Sequence, residues 1–272
     1  MPASVLDYKL VDLGADTLDT ANYNANAVEA WIANAMRFAY SGARLNKDVP
    51  QRTQEDVDLF QIATENKGRD AGFSTCGNVV GCVTSLVGCT DERFLNRSDD
   101  DLDGVPDAAQ KTPGGGAIAW RTGMNITMFI EGARALGAWR QANANSDEPL
   151  YRLPSRGFPF FMGENGREHV GIFVSDPVVV LPGTFAIDTI EGGQVGSAGE
   201  QQAQFFHRMF QVQSPGSSKY IMRGRGLHGW VDVTKLPYSR HAMVPPDFDR
   251  GIEVDGTVHR LPLWNQGRGR WL

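Results

Sequence analysis

Three residue types that together perform acyl transfer appear in order along the chain: a cysteine at 76, a histidine at 169, and acids at 188 and 191. Cys76 lies in Ser74-Thr75-Cys76-Gly77-Asn78, ahead of an apolar stretch that predicts a buried helix, with Ser74 or Thr75 as its N-cap. A cysteine in the first turn of a helix meets unpaired backbone N–H groups and the positive end of the helix dipole. Both favour thiolate over thiol, which is the form that attacks a carbonyl carbon. The same N–H groups are placed to hold the oxyanion that forms on attack, and Gly77 leaves room for the substrate to approach.

His169 opens Arg167-Glu168-His169-Val170-Gly171-Ile172-Phe173-Val174, an apolar run that predicts a strand. A histidine at the mouth of a rigid strand has the placement that a general base requires. Ile187-Asp188-Thr189-Ile190-Glu191-Gly192-Gly193-Gln194 ends the strand expected to pair with the His169 strand. Asp188 and Glu191 both qualify there as the acceptor that fixes the imidazole tautomer and stabilises its cation. Of the other histidines, His228 is the alternative base. His207 is expected on a surface helix, and His241 and His259 in an irregular tail.

The surrounding periodicity predicts the elements that must position these groups. Apolar residues at helical spacing mark helices over 26–41 and 125–141, with a short helix near 55–63 and another over 200–209. Short apolar runs predict strands at 158–162, 170–174, 178–181, 184–190, 219–222 and 230–233. Helices first and strands afterwards imply an α+β fold, with helices packed on an antiparallel sheet. The expected organisation is a helical N-terminal region over 1–72, a catalytic core over 73–215 with an Asp-rich insert at 96–116, and C-terminal strands with an extended tail over 216–272.

A cysteine heading a buried helix, then a histidine starting Val-Gly-Ile-Phe-Val, then an acid before glycines, resembles the papain-like CHAP and NlpC-type amidohydrolases over 73–194. The resemblance implies a papain-like fold and cleavage of peptide or amide bonds in bacterial peptidoglycan. It matches Cys76 to the nucleophile, His169 to the base, and Glu191 to the acid of a Glu-x-Asn pattern, although Gly193 stands where that pattern has Asn. With no signal peptide expected at the N-terminus, the expected setting is a phage lysin, a virion-borne hydrolase or a delivered effector. The rival expectation is a non-catalytic binding or structural component of a virion or secretion assembly.

Composition bounds these readings. The chain has 272 residues, is 41% hydrophobic and 21% charged, and carries a net charge of −6. A negative balance without a basic stripe argues against nucleic-acid binding, which needs clustered Lys and Arg. Cys76, Cys82 and Cys89 crowd onto one short segment, which suits neither a disulfide framework nor a zinc site. Asp99, Asp101, Asp103 and Asp107, with Gly104 among them, offer the alternating oxygen ligands that calcium prefers. No signal peptide or membrane span is expected from the N-terminal residues or from the uncharged run over 71–90.

Overall fold

Strand residues alternate between two faces, so a run of strands that each place an aromatic ring on the same side can close around those rings. This happens here. The computed structural model describes residues 9–12, 20–40, 44–45, 76–89, 126–163, 168–195, 201–238, 241–244, 252–254, 257–259, 264–265 and 270–271. In chain order the elements are β1 (Lys9–Asp12), α1 (Thr20–Tyr40), β2 (Arg44–Leu45), α2 (Cys76–Leu86), α3 (Ile126–Ala135), β3 (Trp139–Gln141), α4 (Pro149–Arg152) and β4 (Pro159–Gly163). They continue with β5 (His169–Phe173), β6 (Val178–Leu181), β7 (Thr184–Val195), β8 (Gln201–Val212), β9 (Tyr220–Met222), β10 (Arg225–Val231) and β11 (His241–Val244). Two short hairpins follow, β12 (Ile252–Val254) with β13 (Thr257–His259), and β14 (Trp264–Asn265) with β15 (Arg270–Trp271).

Six strands form a closed antiparallel ring in the order β8, β9, β10, β4, β5, β7 and back to β8. β9 and β10, beyond residue 215, complete it. β2, β3 and β6 attach outside the ring to β8, β10 and β7. The ring corrects the expected papain-like α+β fold with helices on an open sheet: the described chain is mostly β and its central sheet is a barrel. Each strand of the ring contributes one aromatic to the interior. Phe160 stacks on Phe173 with centroids 4.6 Å apart, and Phe185 on Phe210 at 5.2 Å. Phe210 meets the first pair edge-on, Tyr220 packs against Phe185, and Trp230 against Phe173.

The correction traces largely to β8. Residues 200–209, with Glu200, three Gln, Ala203 and Met209, suggest a helix, yet the strand they belong to pairs with β7 from Thr184↔Gln211 to Val195↔Gln201. Ala203 and Phe205 are buried early in the strand, and Arg208 and Phe210 later, so the buried face switches partway along. That switch erases the period-two signal that marks a half-buried strand. The helix expected over 125–141 also ends early. Gly137 adopts a left-handed φ of 66°, and the Ala138 N–H donates to the Ala133 carbonyl, which terminates α3. Trp139–Gln141 then becomes a strand beside β10.

α1 and α2 lie together against the barrel, α2 on β5 and β7. Val79, Val80 and Val83 of α2 are fully buried, as are Val170 and Ile172 of β5. α1 buries Ala27, Ala30 and Trp31. The Trp31 Nε1–H donates to the Tyr238 hydroxyl at 3.0 Å, which donates in turn to the Val233 carbonyl at 2.7 Å. Burying a tryptophan N–H requires such an acceptor, so this pair fixes α1 against the residues that follow the barrel.

Candidate active site

The aromatic floor of the barrel decides which polar side chains share its interior. His169 and Phe173 are an even number of residues apart on β5 and so point to the same face. By the same rule Thr189 and Glu191 share the face of Phe185 on β7, and Arg208 that of Phe210 on β8. His169, Thr189, Glu191 and Arg208 therefore form a polar cluster above the packed rings.

His169 joins the cluster to α2. Its Nε2 lies 2.8 Å from Glu191 Oε2, and the Cys76 side chain also hydrogen-bonds the ring. Burial pulls the imidazole pKa down, but the hydrogen bonds and negative charges of Cys76 and Glu191 outweigh it and hold it at about 9. The ring is thus a cation at neutral pH, and its Nε2–H donates to Glu191. Cys76 is the first residue of α2 and 5% exposed, so its sulfur meets both the helix N-terminus and the imidazolium.

Glu191 is 1% exposed, and all its acceptor capacity is used. Oε1 accepts from the Thr189 hydroxyl and Arg208 Nε–H, each at 2.7 Å, and Oε2 from Arg208 Nη2–H at 2.7 Å as well as from His169. Burial would raise the carboxyl pKa. The hydrogen bonds and positive charges of His169 and Arg208 instead hold it at about 2. The β7–β8 register shifts between Glu191 and Gln194, and Gly193 takes a left-handed φ of 70°. A bulge beside a site re-aims the strand just past the functional residue.

Cys76, His169 and Glu191 are therefore brought together, and Asp188 is not. Asp188 faces the other side of β7, where its Oδ1 lies 2.5 Å from His207 Nδ1. His207 stands on a strand and not on the expected helix. His228 is exposed on β10, lining a cavity of about 470 Å³ with Gln141, Gln213 and Lys219. Cys89 is buried and bridges to Tyr238, away from the first turn of α2. Asp99, Asp101, Asp103 and Asp107 lie outside the described residues, as do Ser74, Thr75 and the short helix expected near 55–63.

Sequence reasoning missed Arg208 and Thr189. Both follow from strand parity, Thr189 from Glu191 two residues on, and Arg208 from Phe210 once 201–212 is read as a strand. No protein-family model, no curated protein and no solved structure matches the chain. Among the described residues no helix is long and apolar enough to cross a membrane.

Proposed function

We propose that the chain is a cysteine hydrolase that cleaves amide bonds, with Cys76 as nucleophile, His169 as base and acid, and Glu191 as the group that orients His169. The observation that carries this reading is the double engagement of His169, by the Cys76 thiol and by the Glu191 carboxylate. A thiolate–imidazolium pair follows from it. The sulfur attacks the carbonyl carbon, and the oxyanion is met by N–H groups at the start of α2. The imidazolium gives its proton to the departing amine, leaving a thioester on Cys76 and a neutral ring. The ring then takes a proton from water, whose oxygen attacks the thioester, and collapse releases the carboxylic acid and restores the pair.

The substrate we propose is the peptide or amide linkage of bacterial peptidoglycan, on the strength of the resemblance to CHAP and NlpC-type amidohydrolases. The site of action would be outside the cytoplasm, reached through a virion or a secretion machine. Purified peptidoglycan incubated with wild type and with Cys76→Ala, followed by mass spectrometry of the muropeptides, tests this. New termini with wild type alone are expected, and intact muropeptides in both would reject the substrate.

One feature favours a second reading, a binding component of an assembly. β6 exposes Val178, Val179, Val180 and Leu181 at the outer edge of the sheet, a surface that suits a protein partner. Iodoacetamide at neutral pH separates the two readings. A hydrolase alkylates at Cys76 well ahead of Cys82 and Cys89, whereas a structural component labels all three slowly and alike.

A further inference from the structure

A carboxylate that orients an imidazole must itself be held in one plane and kept ionised, and within the Cys76–His169–Glu191 set the imidazolium meets only one carboxylate oxygen, Oε2, which does not fix that plane. A Glu side chain reaches the site through freely rotating bonds, and a carboxylate this deeply buried takes up a proton unless cations or donors face it. Arg208 supplies both functions from the neighbouring strand. Its Nε–H and Nη2–H reach the two carboxylate oxygens separately, at 2.7 Å each, which is the two-pronged geometry that a guanidinium offers and an ammonium does not. The guanidinium is itself fixed. It is buried, and its Cζ lies 3.8 Å from the centroid of the Phe206 ring.

We infer that Arg208 is a positioning residue of this site: its grip on both oxygens of Glu191 sets the plane and the charge of the carboxylate that aims His169 at Cys76. The inference rests on the reading of Cys76, His169 and Glu191 as nucleophile, base and orienting group. Among the described residues, the titratable and charged groups that act on one another in the cluster are Cys76 from α2, His169 from β5, Glu191 from β7 and Arg208 from β8. Without Arg208 the buried Glu191 keeps only the Thr189 hydroxyl and the imidazole as donors. It then takes up a proton at moderately acid pH, the imidazolium loses its counter-charge, and the thiolate loses the imidazolium. The thiolate–imidazolium pair consequently forms only at higher pH.

The test is the rate of Cys76 alkylation by iodoacetamide against pH, resolved from Cys82 and Cys89 by peptide mass spectrometry, with folding followed by circular dichroism. Wild type, Arg208→Lys and Arg208→Gln are each compared in the Glu191 and the Glu191→Gln backgrounds. In Arg208→Gln the acid limb is expected to move up by about one pH unit, so that the rate on the limb, well below the wild-type midpoint, falls about tenfold. At strongly alkaline pH, where any thiol ionises, the rate stays within about threefold of wild type. Arg208→Lys, which restores charge without the fork, recovers part of the loss and remains informative if Arg208→Gln does not fold. In the Glu191→Gln background, where the side chain cannot ionise, Arg208→Gln adds less than about twofold, because coupled residues are not additive.

An unchanged acid limb in a folded Arg208 variant overturns the inference, as does an undiminished effect in the Glu191→Gln background. Peptidoglycan that stays intact while the alkylation profile responds to Arg208 rejects the substrate and keeps the positioning role. A wild-type Cys76 no more reactive than Cys89 at any pH removes the nucleophile, and this inference with it.

Discussion

Gly171 and Phe160 face each other across β5 and β4 with no space for a methyl group between them. A Cβ on Gly171 would stand 2.7 Å from Phe160 Cε1 and 2.8 Å from the Ile190 carbonyl oxygen. The vacancy is used by the Phe160 ring, which stacks on Phe173 and lies edge-on to His169 with centroids 6.4 Å apart. The glycine in the middle of the histidine strand thus lets the aromatic floor rise to support the imidazole.

Gly171→Ala should displace Phe160 and tilt His169 with it. Overpacking a dense core costs about 1–3 kcal/mol, and a denaturant melt should register a loss of that size. Cys76 alkylation at neutral pH should slow about tenfold, since a shift near 1 Å breaks the alignment of a nucleophile with its base. A variant as stable and as reactive as wild type would show that the space beside Gly171 is not needed.

Glu191 and Asp188 can be told apart by paired substitutions. Glu191→Gln keeps a hydrogen-bonding group near His169 but removes the anion, and it leaves Arg208 buried without its partner. Both effects should appear, a stability loss of about 3 kcal/mol and a fall in turnover of about a hundredfold. Asp188→Ala removes a contact to exposed His207 on the other face of β7 and should leave turnover within about twofold. The opposite ranking would transfer the orienting role to Asp188.

The odd spacing of Asp188 and Glu191 already contained that distinction. On an unbroken strand they must point to opposite faces, and only the parity shared with Phe185 selects Glu191. Cys76 and His169 were legible because each heads an element whose apolar pattern is strong. The closed barrel was not legible, because it depends on β7 pairing with β8. The face switch between Phe205 and Arg208 hid β8 among residues with helical leanings. With β8 misread, Arg208 had no place in the site. A fold closed by one irregular strand is lost to periodicity when that strand is lost, while short motifs at element starts survive.

Turnover should fall on the alkaline side as His169 gives up its proton. Burial opposes protonation, yet Cys76 and Glu191 hold the ring at about 9, so kcat/KM should decline above that pH, about tenfold per unit. The same shift has a thermodynamic consequence. A folded pKa raised above 6.5 gives stability that is fully present below 6.5 and is lost as pH rises through about 9. Melting temperatures of wild type and His169→Gln should therefore converge between those pH values. Turnover that declines well below pH 8 would remove the imidazolium from the leaving-group step.

Glu29 should give the fold a second, independent response to pH. It is 3% exposed on α1 and ion-paired with Arg156, while its Oε2 has no hydrogen-bond partner. Burial, with Asp176 nearby, raises its pKa to about 7 despite the pull of Arg156. The direction is the reverse of that for Glu191. A carboxyl whose folded pKa lies above 4.5 contributes most below that pH, where it is neutral in both states, and the contribution is lost as pH rises through about 7. By pH 8.5 the loss is about 3 kcal/mol, an order-of-magnitude figure from about 1.4 kcal/mol per unit. Glu29→Gln keeps the shape and cannot ionise. It should melt close to wild type at pH 5 and several degrees above it at pH 8.5, by calorimetry at both values. Equal differences at the two values would mean that Glu29 stays ionised in the fold and that Arg156 alone balances its burial.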